Sequence, residues 1–571
     1  MSKNREIADM FYEMADVLEM QGVDWKPNAY RKAARALETL SEPVEKVYAR
    51  GGLKALMEIP GVGQSLAAKI EEFLKTGKMK EFRQLVSKIP RGVEEMMHVP
   101  GLGPKKVMKL YKKLKIASLA QLEAAAKAGK LRKIEGFGVK SEQDILRGLG
   151  ILKQGAERAL LGIALPLARE FAVRLSKVDG VKKAEPAGSL RRMKETVGDI
   201  DILVISSKPS KVMNMFTSMP EVQTVLAQGL TKSTVILKDG IQADVRVLEE
   251  QSFGAALQYF TGNKDHNVAL RQMAIKKGYK LSEYGLYKNE RYVCGRTEKE
   301  IYAKLGLPFI EPELRENQGE IEAAKKHKLP KIIPYNSIKG DLHMHSNWSD
   351  GLHSAEQMIK AAQDRGYKYI AMTDHSKSER IANGMDEKRL VKYIEELDKL
   401  QRKFKITILK GSEVDILPDG SLDFDNKYLK QLDFVLAAVH SRFKSSRQDM
   451  TKRILKAFDN PYVNVLAHPT GRLIGKREPY DFDFERIAQA AKDRGIALEC
   501  DAYPTRLDLK DTHIRTAIEI GCKITIDTDS HAIDQLRFME YGVAQARRGW
   551  AEEKDVINTW PLGKLQKFLR R

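Results

Sequence analysis

From residue 340 onward, short apolar runs each end on a histidine or a carboxylate: YKYIAMTDH, KITILKGSEVDI, FVLAAVHS, VNVLAHPT, IALECD and CKITIDTDSH. Stretches of helical periodicity separate them. Few folds satisfy that pattern. Parallel strands that alternate with helices and close into a barrel bring the C-terminal end of every strand to one mouth, where polar side chains converge. The segment Asp341-Leu-His-Met-His345 adds two imidazoles on one face of a strand. Eight of the eleven histidines lie after residue 340. The candidate ligands are His343, His345, Asp350, His375, Glu413, His440, His468, Asp529 and His531. A lone strand-end histidine is usually satisfied structurally, but six histidines with three acids at successive strand ends are not explained that way. Imidazole and carboxylate donors suit Mn²⁺ or Zn²⁺, and nine ligands suit up to three ions arranged to hydrolyse a phosphate ester. Asp374 and Asp415 are expected to orient ligands. Arg472 reads equally as a phosphate contact and as a solvated loop residue, and His353 and His513 fall outside the pattern.

A second constraint comes from the other end. Ile59-Pro-Gly-Val-Gly63, Val99-Pro-Gly-Leu-Gly103 and Ile134-Glu-Gly-Phe-Gly138 form an internal repeat, each copy followed by a Lys-containing helical run. Glycines such as Gly61, Gly63, Gly101 and Gly103 allow a tight turn whose amides face a phosphate at a helix start. Lys69 and Lys105 follow on the helices. Charge favours the same reading. Residues 1–300 carry 52 Lys and Arg against 36 Asp and Glu, whereas the remainder carries 46 against 41. The basic half is expected to bind a polyanion, here the DNA backbone.

Between these regions the pattern becomes mixed α/β. A helix is expected through ALLGIALPLAREFAVRLSKV, then strands DIDILVIS, STVILK and QADVRVL. Asp199 and Asp201 share one face of a strand, and Asp244 can join them from another. Three close carboxylates repel unless cations bridge them, and two Mg²⁺ ions on such a set suit in-line nucleotidyl transfer. Gly188, Ser189 and Arg192 precede them as a turn, a hydroxyl and a phosphate anchor.

The segments NAYRKAA (28–34), IPGVGQSLAAKIEEFL (59–74), GSLRR, GDIDIL, ADVRV and YFTGNKDHNVALRQMAIKKGY (259–279) resemble family X DNA polymerases over about residues 1–310. Residues 339–571 resemble the polymerase and histidinol phosphatase (PHP) domain, and the order of the two resembles bacterial and archaeal family X enzymes. The resemblance implies Asp199, Asp201 and Asp244 as Mg²⁺ ligands. It implies Ser189, Arg192 and Gly198 on the triphosphate, and Tyr259, Phe260, Gly262 and Asn267 around sugar and base. Arg271 would meet the template strand. Lys26, Tyr30 and Lys69 fall on positions tied to 5′-phosphate binding and lyase chemistry. Ser65 and Lys264 depart from the family pattern.

At roughly 150 residues per domain, 571 residues suggest about four units. The expected division is 1–85, a lyase-like helical domain; 86–150, further helix-hairpin-helix motifs; 151–250, a nucleotidyltransferase palm; 251–315, a nucleotide-selecting thumb; 316–338, a linker; and 339–571, a distorted TIM-like barrel. No run approaches the roughly 18 apolar residues of a membrane span. Three cysteines, Cys294, Cys500 and Cys522, are too scattered for a disulfide framework, so a reducing, cytoplasmic setting is expected. The expected activity is gap-filling synthesis in base excision repair by a monomer. It uses dNTPs and gapped DNA bearing a 5′-phosphate, with 3′→5′ exonuclease and abasic-site endonuclease chemistry in the last domain. The competing readings are a DNA-localised small-molecule phosphoesterase and a non-catalytic DNA scaffold.

Overall fold

A computed structural model describes the chain apart from residues 1–2, 21–22, 24–25, 39, 41–42, 60, 87–92, 94–95, 97–98, 100–101, 103, 140, 144, 147–148, 150–157 and 571. The N-terminal region is helical. Helix Gln64–Thr76 starts after Gly63, stops at the left-handed Gly77, and buries Leu66, Ala67, Ile70 and Phe73 at three- and four-residue spacing. The three glycine repeats share one turn. Val62, Leu102 and Phe137 donate their amides to the carbonyls of Ile59, Val99 and Ile134 at 2.9, 3.0 and 2.9 Å. Gly61 and Gly136 sit at φ of 85° and 87°, where a side chain would be strained. Gly101 and Gly103 lie outside the described residues.

The middle region is a five-stranded sheet in the order Val181–Pro186, Asp199–Ser206, Gln242–Leu248, Lys232–Leu237, Val222–Gln228. Helices Leu161–Ser176 and Pro209–Thr217 cover one face with Phe171, Phe216 and Met213. The central pair is parallel and sets Asp201 directly beside Asp244. The two outer strands had no clear signal in the sequence, and none of their residues is fully buried. Helices Phe253–Thr261 and Lys264–Lys276 and a small antiparallel sheet (Lys280–Cys294) then form the thumb.

The last region is a seven-stranded parallel sheet whose strands follow chain order, from Gly340–Asp341 to Lys523–Asp527. A bridge between Met344 and Ser530 joins its two edges, with the His345 amide donating to the Ser530 carbonyl at 2.8 Å. The result is a distorted TIM-like barrel. His343 and His345 lie just beyond the two-residue first strand rather than within it, because the chain there turns to pair with the segment after the last strand.

Residues 316–338, expected as a linker, pack on both neighbours. Ile321 and Ala324 join the thumb core, and Ile333 joins the barrel core. Leu507, Tyr541 and Ala544 of the barrel region are buried in the core of the palm. Among the described residues, no helix is long and apolar enough to cross a membrane.

Candidate active sites

The first site grows from the paired central strands. Ligand oxygens of Asp199, Asp201 and Asp244 lie within 4.8 Å of one another. Gly188, at φ 66°, packs so closely that a Cβ there would meet Asp201 Oδ2 at 2.7 Å. Asp244 accepts from the Thr234 hydroxyl and from Gln242 Nε2 at 3.2 Å, and Lys232 Nζ stands 3.4 Å away. Burial first, then repulsion from Asp199 and Asp244, pushes the Asp201 carboxyl up to about 7. Burial and Asp244 also raise Asp199, against Arg158 and Lys232. Three acids so placed fit divalent cations, since a cation removes the repulsion that raises them.

Asp199 opens into a cleft of about 570 Å³. Gly188, Ser189, Arg192 and Gly198 line one side, and Tyr259, Phe260, Gly262, Asn267 and Arg271 the other. Every nucleotide-pocket residue expected from the sequence, and Arg271, therefore meets in one cavity. Tyr259 and Phe260 pack edge to face with centroids 5.1 Å apart. Asn267 is held by Gln258 Nε2 at 2.7 Å and donates to the Tyr259 carbonyl at 2.7 Å. Arg158 and Asn263 also line the cleft and were missed. Arg158 sits in a stretch with no periodic pattern to single it out, and Asn263 reads in the 259–279 segment as the cap of helix Lys264–Lys276.

Near the N-terminus, Lys69 Nζ is 3.0 Å from Glu81 Oε2 and 2.8 Å from Ser65 Oγ, and lies 5.9 Å from the Tyr30 ring centroid. The Tyr30 hydroxyl donates to Glu81 Oε1 at 3.2 Å, and Lys26 is exposed at the start of helix Lys26–Glu38. Lys105 falls in helix Pro104–Leu114.

At the barrel mouth all nine expected ligands converge. His345 stacks against both His375 and His531, with centroids 4.4 and 4.2 Å away. Ligand atoms lie within 4.8 Å of one another in four sets: His345, Asp350, His375 and His531; His343, His345 and Asp529; His375, Glu413 and His440; and Glu379, Asp415 and His440, of which Glu379 was not expected. His468 Nε2 approaches Glu413 Oε1 at 2.7 Å. Glu413 Oε2 has ring nitrogens of His375, His343 and His345 at 3.0, 3.3 and 3.6 Å, yet it is buried without a hydrogen bond. Both ring nitrogens of His345 are likewise buried without one. Buried polar atoms are rarely left so; nitrogen and oxygen donors converging in this way fit metal ions. Burial opposes charge throughout the cluster, but histidines outweigh it at Glu413 and hold that carboxyl well below its ordinary range. Burial, then His531 and His375, pulls His345 down to about 3.

Partners outside this set fix the ring orientations. Asp415 Oδ1 accepts from His440 Nδ1 at 2.5 Å, as expected. Asp374 instead binds the amides and hydroxyls of Ser346 and Ser349, and so shapes the loop that carries Asp350. Glu499, absent from the expected set, receives His343 Nδ1 and the His468 amide, both at 2.6 Å. Arg506 lies 3.3 Å from Asp501 and 3.5 Å from Asp529. Arg472 is not the solvated loop residue that was one of its two expected readings, being 9% exposed. It pairs with Glu195 of the palm at 2.7 Å and donates to the Leu507 carbonyl, because the palm docks against its loop. His513 stacks on Phe484, away from the cluster.

Family models match four stretches: a helix-hairpin-helix domain at 2–79, a SAM-like helix-hairpin-helix tandem at 93–150, a DNA polymerase beta thumb at 256–316 and a PHP domain at 341–502. A DNA polymerase/3′-5′ exonuclease PolX of Bacillus subtilis is 39% identical over 99% of each chain. DNA polymerase lambda of Rattus norvegicus is 25% identical over 55% of this chain and 56% of its own. A probable phosphatase of Thermoanaerobacter is 28% identical over 40% of this chain and 94% of its own. Two such sites on one full-length match leave one assignment: the chain belongs to the bacterial family X DNA polymerases that carry a C-terminal PHP domain.

Proposed function

We propose that the chain is a DNA repair polymerase that fills short gaps from dNTPs and trims 3′ ends as a 3′→5′ exonuclease. The observation that carries the first activity is the acid trio opening into a cleft lined by Ser189, Arg192, Tyr259 and Asn267. Asp199, Asp201 and Asp244 would hold two Mg²⁺ ions, which supply charge neutralisation at the attacking and leaving oxygens. The Ser189 hydroxyl and the Arg192 guanidinium donate to the triphosphate. The ring pair Tyr259 and Phe260 walls the sugar and base, and Gly262 lets the backbone approach. Arg271 meets the template.

At the barrel mouth the nine ligands would hold up to three ions, Mn²⁺ ahead of Zn²⁺, which supply an activated water and a stabilised leaving oxygen. Glu499 and Asp415 keep His343 and His440 turned toward that site. Endonuclease action at abasic sites is a second use of the same centre. The glycine turns grip the DNA backbone, and Lys26, Tyr30 and Lys69 anchor the 5′-phosphate. Lys69 is paired with Glu81 and Ser65 at 3.0 and 2.8 Å, and anchoring by it stands ahead of 5′-deoxyribose-phosphate lyase chemistry. The chain acts as a monomer.

The test is a labelled primer ending at a one-nucleotide gap with a 5′-phosphate, with Mg²⁺ or Mn²⁺, with and without dNTPs. The wild type extends with dNTPs and shortens without them. Asp201→Ala abolishes extension and keeps shortening; His343→Ala with His345→Ala does the reverse. Loss of both activities from either change, in a folded protein, would overturn the two-site assignment.

A further inference from the structure

Arg192 lines the cleft but is tethered by two residues that do not, Glu316 and Thr261. Its Nε donates to Glu316 Oε1 at 2.9 Å, Nη1 donates to the Thr261 carbonyl, and its side chain is 11% exposed. The second oxygen of Glu316 accepts from Asn263 Nδ2 at 3.1 Å. Beyond Glu316 stands Arg548, at the end of helix Met539–Arg548 in the PHP region. Its Nη1 lies 3.1 Å from Glu316 Oε1 and 2.8 Å from the Arg192 carbonyl oxygen, while Nη2 donates to Asp511 Oδ2 at 2.5 Å. The Arg548 side chain is 2% exposed and does not line the cleft.

One carboxylate oxygen thus receives two guanidinium groups. Although burial opposes its charge, Arg548 and Arg192 hold the Glu316 carboxyl below its ordinary range. Arg548 is itself fixed by Asp511, so Glu316 has a defined place, and Arg192 has two of its nitrogens committed. A guanidinium held in this way loses less side-chain freedom when a triphosphate arrives than one on a mobile stem.

We infer that Glu316 is a positioning residue for nucleotide addition, orienting Arg192 toward the triphosphate, and that Arg548 of the PHP domain holds Glu316 in place. The inference rests on the reading of Arg192 as a triphosphate contact. It gives the nuclease domain a share in the affinity of the polymerase site.

The full-length protein decides it, with single-nucleotide addition on gapped DNA giving KM and kcat, and 3′ shortening as the folding control. Arg192→Met tests the underlying reading, and an unchanged dNTP KM would remove it. Glu316→Gln keeps the shape and both arginines, and should raise the dNTP KM about tenfold, the loss of about 1.4 kcal/mol, with kcat changed less than about threefold and shortening unaffected. Arg548→Met should move KM in the same direction. Arg548→Lys, which keeps the charge but cannot bridge Glu316 and Asp511 with a planar fork, serves if the methionine variant does not fold. If Glu316→Gln lowers the KM, Glu316 competes with the triphosphate for Arg192 and the inference is overturned. An unchanged KM in Glu316→Gln, beside a raised one in Arg192→Met, overturns it equally.

Discussion

Asp201 is a side chain whose placement works against the stability of the fold. It lies on an inner strand of the sheet near two other acids, and Gly188 packs against it, so its charge is opposed by burial and by both neighbours. Its proton is therefore held up to about pH 7, above the ordinary carboxylate range. For an acid raised in the folded state, the native form binds the extra proton, so metal-free stability falls as pH rises from about 4 through about 7. Asp201→Asn removes that penalty. In chelator the variant should be more stable than wild type at pH 8, by about 1–3 kcal/mol, with the difference vanishing toward pH 4. Denaturant titrations at both pH values check this, and extension should be lost at either. Mg²⁺ should stabilise the wild type more than the variant.

At the scale of elements, strands and turns aim the chemistry. The barrel was legible because its strands are apolar runs that stop on polar residues, and a parallel sheet buried on both faces requires such runs. The strands bearing Asp199, Asp201 and Asp244 were legible from alternation, and their register follows once they pair in parallel. Glu499 was not legible. It sits inside the apolar strand Ala497–Asp501, two residues before the strand end, and only the fold shows that it faces His343 and the His468 amide. The burial of Arg472 was not legible for a related reason: the partner that claims it, Glu195, is 277 residues away in sequence. Glu499→Gln should leave the His343 ring in place but weaken its orientation. The expected effect is a 3′ shortening rate lower by about 10–100-fold at limiting Mn²⁺, partly recovered at high Mn²⁺, with extension unchanged. A Mn²⁺ titration of both activities reads this directly.

The whole molecule is joined more tightly than its sequence divisions suggest. Leu507, from a loop of the barrel, is buried in the palm core, and Arg472 pairs with Glu195 across the same junction. Arg169 Nη1 donates to Glu540 at 2.9 Å, and Arg547 Nε to Glu313 at 2.7 Å. Leu507→Ala should cost about 2–4 kcal/mol, the ordinary price of emptying a buried leucine site. Because the site is shared, calorimetry should show palm and barrel melting together and earlier, and extension and shortening should be lost at the same lower temperature. The same junction constrains the traffic of the DNA. An enzyme whose two workstations are packed together in this way is expected to pass a 3′ end between them by the end's own unpairing. A mismatched terminus, which frays more readily, should then be shortened faster than a matched one, and the two primers compared side by side without dNTPs read the difference.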